Sequence, residues 1–199
     1  MVPILRLDQE DPIAAWTEHA NAIGERERAF RSLELDSVRF TGPGTNLTIG
    51  LPKGAIWMGG GATGPDGLFF LPNLPTEEVF TTPHFRRTEG EVTLTRPALI
   101  LGRLVDKAWF RFQEGRVVES GAETGQDTLE KFFDVDEKSR YLGEVALVDG
   151  SSPIYKSGLV FHNTLFDENA ACHMAFGSAY PGCIPGGENM DDATFTAAG

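Results

Sequence analysis

A chain of 199 residues with a hydrophobic share of 41% is long enough to bury one large core or two small ones. Its 17 basic and 29 acidic side chains leave a formal charge of −12, and the densest basic run, Arg26 to Arg31, is interleaved with glutamates. That balance excludes the basic footprint by which a protein grips a phosphate backbone, so no nucleic-acid partner is expected.

The two cysteines, Cys172 and Cys183, are too few for a disulfide framework and form no C-x-x-C pair. No apolar run approaches the roughly 20 residues of a membrane span. The N-terminus shows no charged start followed by an apolar core. The expectation is a cytoplasmic protein with no membrane partner.

In chain order, Met1 to Leu7 reads as a short apolar strand or a linker. Asp11-Pro12 then opens a helix, with a capping carboxylate and proline at the first helical position. Ile13, Trp16, Ala20, Ile23, Phe30 and Leu33 recur at helical spacing up to an end near Leu33, and Gly24 weakens the helix modestly. From Ser37 the period becomes two. Val38 and Phe40, then Leu47, Ile49 and Leu51, flank the Gly42-Pro43-Gly44 turn as a hairpin. The glycine-rich stretch from Gly59 to Gly67 has neither G-K-[ST] nor G-x-G-x-x-G, so it is read as tight chain reversal against another segment, not as a phosphate cradle.

Val92 to Leu94, Ala98 to Leu104, Ala108 to Phe112 and Val117 to Glu119 read as strands, with Glu114-Gly115 as a hairpin turn. Thr128 to Phe133 reads as a short helix, Gly143 to Val148 and Leu159 to Phe161 as strands, and Phe166 to Phe176 as a second helix stopped by Gly177. The tail from Pro181 reads as loop. Mostly antiparallel strands with a few helices give an α+β class, because the strands follow one another too closely for βαβ units.

Leu165 to Tyr180, LFDENAACHMAFGSAY, mixes carboxylates, an imidazole, a thiol and a phenol among small apolar residues. Hard oxygen donors with an imidazole nitrogen are what a divalent metal takes. His173, with Asp167 and Glu168 shortly before it, competes with the reading of a hydrogen-bonded core histidine. The Glu168-to-His173 spacing is not that of an H-E-x-x-H zincin.

Glu144, the lone carboxylate in Leu142 to Val148, is either a solvent-facing residue or a buried one that needs a partner. Glu77-Glu78 follows Thr76, which reads either as a helix cap with two glutamates in the first turn or as a carboxylate turned to a site. Cys172 is read as a small buried residue, since neighbours on a helix point about 100° apart, which disfavours a Cys-His pair. His84 and His162 are read as packing residues, and Tyr180 as either packing or a hydroxyl donor to a reacting oxygen. With no G-x-S-x-G elbow present, the carboxylate-plus-imidazole set fits a dinuclear metal hydrolase. A non-enzymatic β-rich binding module and a thiol hydrolase using Cys172 are the competing readings.

Four segments occur in family order: Thr41-Gly42-Pro43-Gly44-Thr45-Asn46-Leu47, Asn73-Leu74-Pro75-Thr76-Glu77-Glu78-Val79-Phe80-Thr81, Gly143-Glu144-Val145-Ala146-Leu147-Val148 and Thr164-Leu165-Phe166-Asp167-Glu168-Asn169-Ala170-Ala171-Cys172-His173. Together they resemble the aminopeptidase T/S family of thermophilic metallopeptidases over essentially the whole chain. The resemblance implies two divalent ions, zinc or cobalt among them, and removal of the N-terminal residue from peptides. It implies Glu78, Glu144 and His173 as metal ligands, with Glu144 bridging. Glu168 is implied as a ligand or acid/base group, and Tyr180 as a group that stabilises the tetrahedral intermediate.

It further implies a homodimer in the full-length protein, a domain ahead of the equivalent of Met1, and an H-x-D segment beyond Gly199 with further ligands. On that basis residues 1–199 are expected to form one truncated catalytic, metal-binding domain of the aminopeptidase T/S type. It should bind metal weakly or bind a single ion, with little activity of its own.

Overall fold

Asp11 starts the first helix as the sequence requires, its carboxylate accepting from the backbone N–H groups of Ile13 and Ala14, both at 3.0 Å. The computed structural model describes residues 1–198. Helix α1 spans Pro12–Ser32 and buries Ala20 and Ile23, while Ile13 at its open end stays exposed. It is followed by β1 (Ser37–Gly42), β2 (Thr45–Gly50), β3 (Met58–Gly59), β4 (Ala62–Thr63), β5 (Phe69–Phe70), β6 (Glu78–Thr81) and β7 (Thr88–Thr93). Then come β8 (Ala98–Ile100), β9 (Arg103–Val105), β10 (Trp109–Gln113), β11 (Arg116–Gly121) and α2 (Gln126–Phe133). The last part holds β12 (Leu142–Val148), α3 (Pro153–Ser157), α4 (Thr164–Glu168), β13 (His173–Phe176) and α5 (Asp192–Ala198).

The strands form a five-stranded sheet in the order β1-β2-β7-β10-β11, a four-stranded sheet in the order β13-β12-β6-β3, and two small ribbons, β4-β5 and β8-β9. The pairings β1–β2, β2–β7, β7–β10, β10–β11, β3–β6, β4–β5 and β8–β9 are antiparallel. The fold is therefore α+β. Among the described residues no helix is long and apolar enough to cross a membrane.

The chain divides into two compact units. One holds Met1–Leu33, Trp57–Phe80 and Ala146–His173; the other holds Glu34–Ile56, Thr81–Val145 and the chain from Met174 onward. In the first, Trp57 is buried with its ring 4.8 Å from that of Phe30, and Ile4, Ile154 and Ala170 form a cluster flanked by Phe161 and Phe166. Gly60, at φ +72°, lies so close to α1 that a Cβ there would sit 2.8 Å from the Ala20 carbonyl oxygen and 2.9 Å from the Gly24 nitrogen. The glycine-rich stretch thus reverses against a named partner, and it is Gly60 that must lack a side chain there.

In the second unit the five-stranded sheet buries Leu47, Ile49, Phe110, Phe112 and Val117. Phe176 packs among Phe110, Phe112, Phe132 and Phe133. Glu114 and Gly115, at φ +49° and +79°, make the tight turn between β10 and β11.

Several elements depart from the sequence reading. Met1 to Leu7 is a run of turns closed by Leu5 N–H to the Met1 carbonyl and Leu7 N–H to the Val2 carbonyl, both at 3.0 Å, and not a strand. Ala98 to Leu104 is a hairpin, because Leu101 and Gly102 take φ +49° and +73° and fold the apolar run back on itself. Leu159 to Phe161 forms no strand. The tail is more structured than its composition implies, with 3-10 turns at Pro181–Cys183 and Gly187–Asn189 and then α5.

Candidate metal centre

Glu77 and Glu78 do not open a helix. Strand β6 begins at Glu78, and both glutamates are nearly buried, at 5% and 9% exposure. The helix-cap reading of the pair is therefore replaced: consecutive residues of an extended chain point to opposite sides, and the two carboxylates meet different partners. That of Glu77 faces the Arg6 guanidinium at 3.0 Å and His19 Nε2 at 3.3 Å. That of Glu78 faces His173 Nε2 at 3.0 Å.

His173 lies on a strand, not on the helix expected over Phe166 to Phe176. Helix α4 stops after Glu168 because Asn169 is drawn elsewhere. Its Nδ2 donates to the Leu165 carbonyl at 2.9 Å, and its Oδ1 accepts from the Glu77 N–H at 2.7 Å. The chain leaves the helix there and reaches β13 with His173 as its first residue. Asp167 serves the loop before the helix, accepting from the N–H groups of Phe161 and Asn163 at 2.8 and 3.0 Å.

The protonation of His173 follows from its contacts. Nδ1 lies 3.0 Å from the Ala171 carbonyl oxygen, which only accepts, so Nδ1 carries a proton. Nε2 and Glu78 Oε2 are both fully buried atoms. An imidazole nitrogen without a proton and a carboxylate oxygen repel each other at 3.0 Å, so the pair needs a positive centre, supplied by a second ring proton or by a cation.

Glu144, half-buried on β12, completes the group. One ligand atom each from Glu78, Glu144 and His173 lie within 4.8 Å of one another. Two carboxylates and an imidazole are a donor set that first-row divalent ions accept. The residues present fit a metal.

Glu168, half-buried at the end of α4, is not a member of this group. Tyr180 is 51% exposed. Thr82 holds its backbone, with Tyr180 N–H donating to Thr82 Oγ1 at 3.2 Å and that hydroxyl donating back to the Tyr180 carbonyl at 3.3 Å. Cys172 is exposed, contrary to the buried role expected of it, and its Sγ stands 3.7 Å from the Val148 carbonyl oxygen. Cys183 is the buried thiol. Burial pushes it up to about 11, with hydrogen bonds from Thr82 opposing in part, and it is inert at neutral pH. His162 is exposed at φ +53° and does not pack, whereas His84 is half-buried and stacks on Phe85.

Sequence reasoning missed Arg6, His19 and Asn169. A signal existed for His19, which falls on the same stripe of α1 as Trp16 and Ile23, a polar residue on a buried face. Burial lowers its basicity against the opposing pull of the Glu77 carboxylate. The ring is then neutral, and its Nε2–H points at the Thr76 carbonyl at 2.8 Å.

The chain is 51% identical over 175 residues to Aminopeptidase T of Thermus aquaticus, an alignment that covers 88% of this chain and 43% of that protein. It is 42% identical over 194 residues to Aminopeptidase PepS of Streptococcus thermophilus, covering 98% and 47%. The solved structure of wild-type AmpT from Thermus thermophilus superposes with a TM-score of 0.85 at 48% identity, over 89% of this chain and 45% of that one. The chain thus spans under half the length of these relatives. Over residues 1–199 the sequence matches the family described as thermophilic metalloprotease (M29), and with such relatives the chain belongs to that family.

Proposed function

We infer that this chain is the metal-holding part of an aminopeptidase that removes the N-terminal residue from peptides. One observation carries the reading: the buried face-off between Glu78 and His173, with Glu144 beside it, supports a cation at this point. A divalent ion there would supply Lewis acidity toward a scissile carbonyl and would acidify a water.

The chain's own residues do the remaining work. His173 is held with its Nε2 lone pair forward by the bond from Nδ1 to the Ala171 carbonyl. Glu78 and Glu144 balance the charge, and Glu144 is the bridging carboxylate if a second ion joins. Tyr180, with its backbone clamped by Thr82 and its side chain open to solvent, donates its hydroxyl to the oxyanion of the tetrahedral intermediate. Glu168, outside the three-residue group, takes and returns a proton or closes in as a further ligand.

The full reading is a dinuclear zinc or cobalt enzyme, dimeric and cytoplasmic. Residues 1–199 are read as one catalytic, metal-binding domain that brings together a single three-residue ligand group. The chain as it stands is expected to bind one ion and to release amino acids slowly. The test is metal stoichiometry by equilibrium dialysis, together with release of N-terminal amino acids from a free peptide and from the same peptide acetylated. One Zn2+ or Co2+ per chain and chelator-sensitive release from the free peptide alone are expected. Two tightly bound ions with rapid release would refute the one-ion reading. No bound metal and no release would refute the whole, and loss of release on alkylating Cys172 would move the chemistry to the thiol.

A further inference from the structure

Glu77, next to a candidate ligand, is held at both carboxylate oxygens and at its backbone N–H. Its carboxylate is held by Arg6 at 3.0 Å and by His19 at 3.3 Å, and its N–H by Asn169 Oδ1 at 2.7 Å. With both oxygens engaged it is not itself a ligand. The holders are fixed in turn. The Arg6 guanidinium lies 4.2 Å over the Trp16 ring, and Trp16 Nε1 donates to the Leu5 carbonyl at 2.9 Å. His19 also reaches the Thr76 carbonyl. Asn169 is fully buried, and its own carbonyl accepts from Ser152 Oγ at 2.8 Å. Asn169 stands four residues before His173, and Glu77 one residue before Glu78. A single buried network therefore grips both ligand-bearing segments just ahead of their ligands.

We propose that Glu77, braced by Arg6, His19 and Asn169, is a positioning residue for the metal centre: it sets Glu78 and His173 at the spacing a divalent ion requires. This rests on the reading of Glu78 and His173 as ligands. Buried charge is costly unless paired and hydrogen-bonded, and a helix that only packed against a strand has no need of a buried carboxylate held by a guanidinium and an imidazole. Groups that orient ligands from behind commonly alter metal affinity 10- to 100-fold when lost.

The test uses the 199-residue chain with Co2+ alone, reading affinity by titration, the d–d spectrum of the saturated protein, and folding by circular dichroism. Glu77→Gln is expected to weaken Co2+ binding at least tenfold and to change the saturated spectrum. A purely structural role would lower the melting temperature and leave that spectrum as it is. Arg6→Met, which keeps the stem over Trp16, should weaken binding to a lesser degree, and Arg6→Lys should restore most of it. Glu78→Gln serves as the control and should abolish binding.

If Glu78→Gln abolishes binding while Glu77→Gln and Arg6→Met keep wild-type affinity and spectrum, the brace is overturned and the metal site stands. If the wild-type chain binds no Co2+, or Glu78→Gln binds it normally, the site reading fails and the brace falls with it. Should Glu77→Gln fail to fold, the Arg6→Met and Arg6→Lys pair decides on the same readouts.

Discussion

The two larger sheets treat charge in opposite ways. In the five-stranded sheet the rule of alternation holds: β10 reads exposed, buried, exposed, buried, exposed over Trp109 to Gln113. Its Arg111 reaches Glu119 of β11 in the open, with both side chains about half exposed. In the four-stranded sheet β6 buries Glu78 together with Val79 and Thr81, so no face of that strand is left to water. A strand that hides a carboxylate and its neighbours alike is not solving a packing problem, because an alanine or valine would pack without the desolvation cost. Stability accounts for the first sheet; the second keeps groups that only a cation or a partner charge justifies.

The largest expected break in that comparison comes from Glu144→Gln. The change keeps the side chain's shape and removes one negative charge from the three-residue group. Affinity for Co2+ or Zn2+ should fall by more than the roughly 10- to 100-fold that loss of an outer-shell partner costs, and N-terminal release should drop to background, while the thermal unfolding of the metal-free chain stays close to wild type. Titration and calorimetry on one preparation measure both. Metal binding that survives would return Glu144 to the role of a half-buried strand residue.

The opposite result is expected in the five-stranded sheet. Leu47 and Ile49 are fully buried on β2. Truncating either to alanine deletes buried methyl and methylene groups and leaves a cavity, a loss of about 2–5 kcal/mol. Denaturant unfolding should show it as a shifted midpoint with an unchanged slope, and the d–d spectrum of the Co2+-loaded folded protein should not change. An altered spectrum would mean that the division of labour between the two sheets is not real.

How much of this was legible depended on which rule governed each segment. Where one local rule acted alone, the residues sufficed: Asp11-Pro12 for the start of α1, Glu114-Gly115 for the β10–β11 turn, and alternation for β1 and β2. Where a distant partner overrode local preference, they did not. The run around Ala170 and Ala171 favours helix on propensity, yet Asn169 is claimed by Glu77, 92 residues away in sequence, and His173 begins a strand. Leu101 at positive φ splits an apolar run that reads as one strand. Of the candidate site, Glu78, Glu144 and His173 were found as residue types and through resemblance. Their convergence, and the network of Arg6, His19 and Asn169 behind them, required three dimensions.

A smaller effect should appear in acid. Burial depresses the basicity of His19 below the ordinary 6.5, and Glu77, Arg6 and Arg26 are the charged groups acting on it. His84 is shifted the same way, by burial and by Arg87 and Arg86. Above about 6.5 both states of the chain hold these rings neutral. As pH falls below that, the unfolded chain takes up protons first, so stability drops until the folded-state values are reached. His19→Gln, which keeps a donor near the Thr76 carbonyl, should flatten part of the drop. Urea midpoints between pH 7.5 and 5 measure it, and an unchanged slope would leave the acid response to other groups.

The smallest effect belongs to the Arg111–Glu119 pair. The contact is bidentate, with Arg111 Nε at 3.1 Å from Glu119 Oε2 and Nη2 against Oε1. The guanidinium holds the Glu119 carboxyl below the usual range, through the hydrogen bond first and its charge second. Both groups nevertheless stand in water, where exposed cross-strand pairs gain little over their hydration and salt screens what remains. Glu119→Gln should leave the denaturation midpoint unchanged at physiological salt, with any shift confined to low salt, and metal affinity should be untouched. A clear loss of stability at high salt would show that this edge of the sheet depends on charge after all. The contrast with the buried glutamates of β6 and its approach would then be one of degree and not of kind.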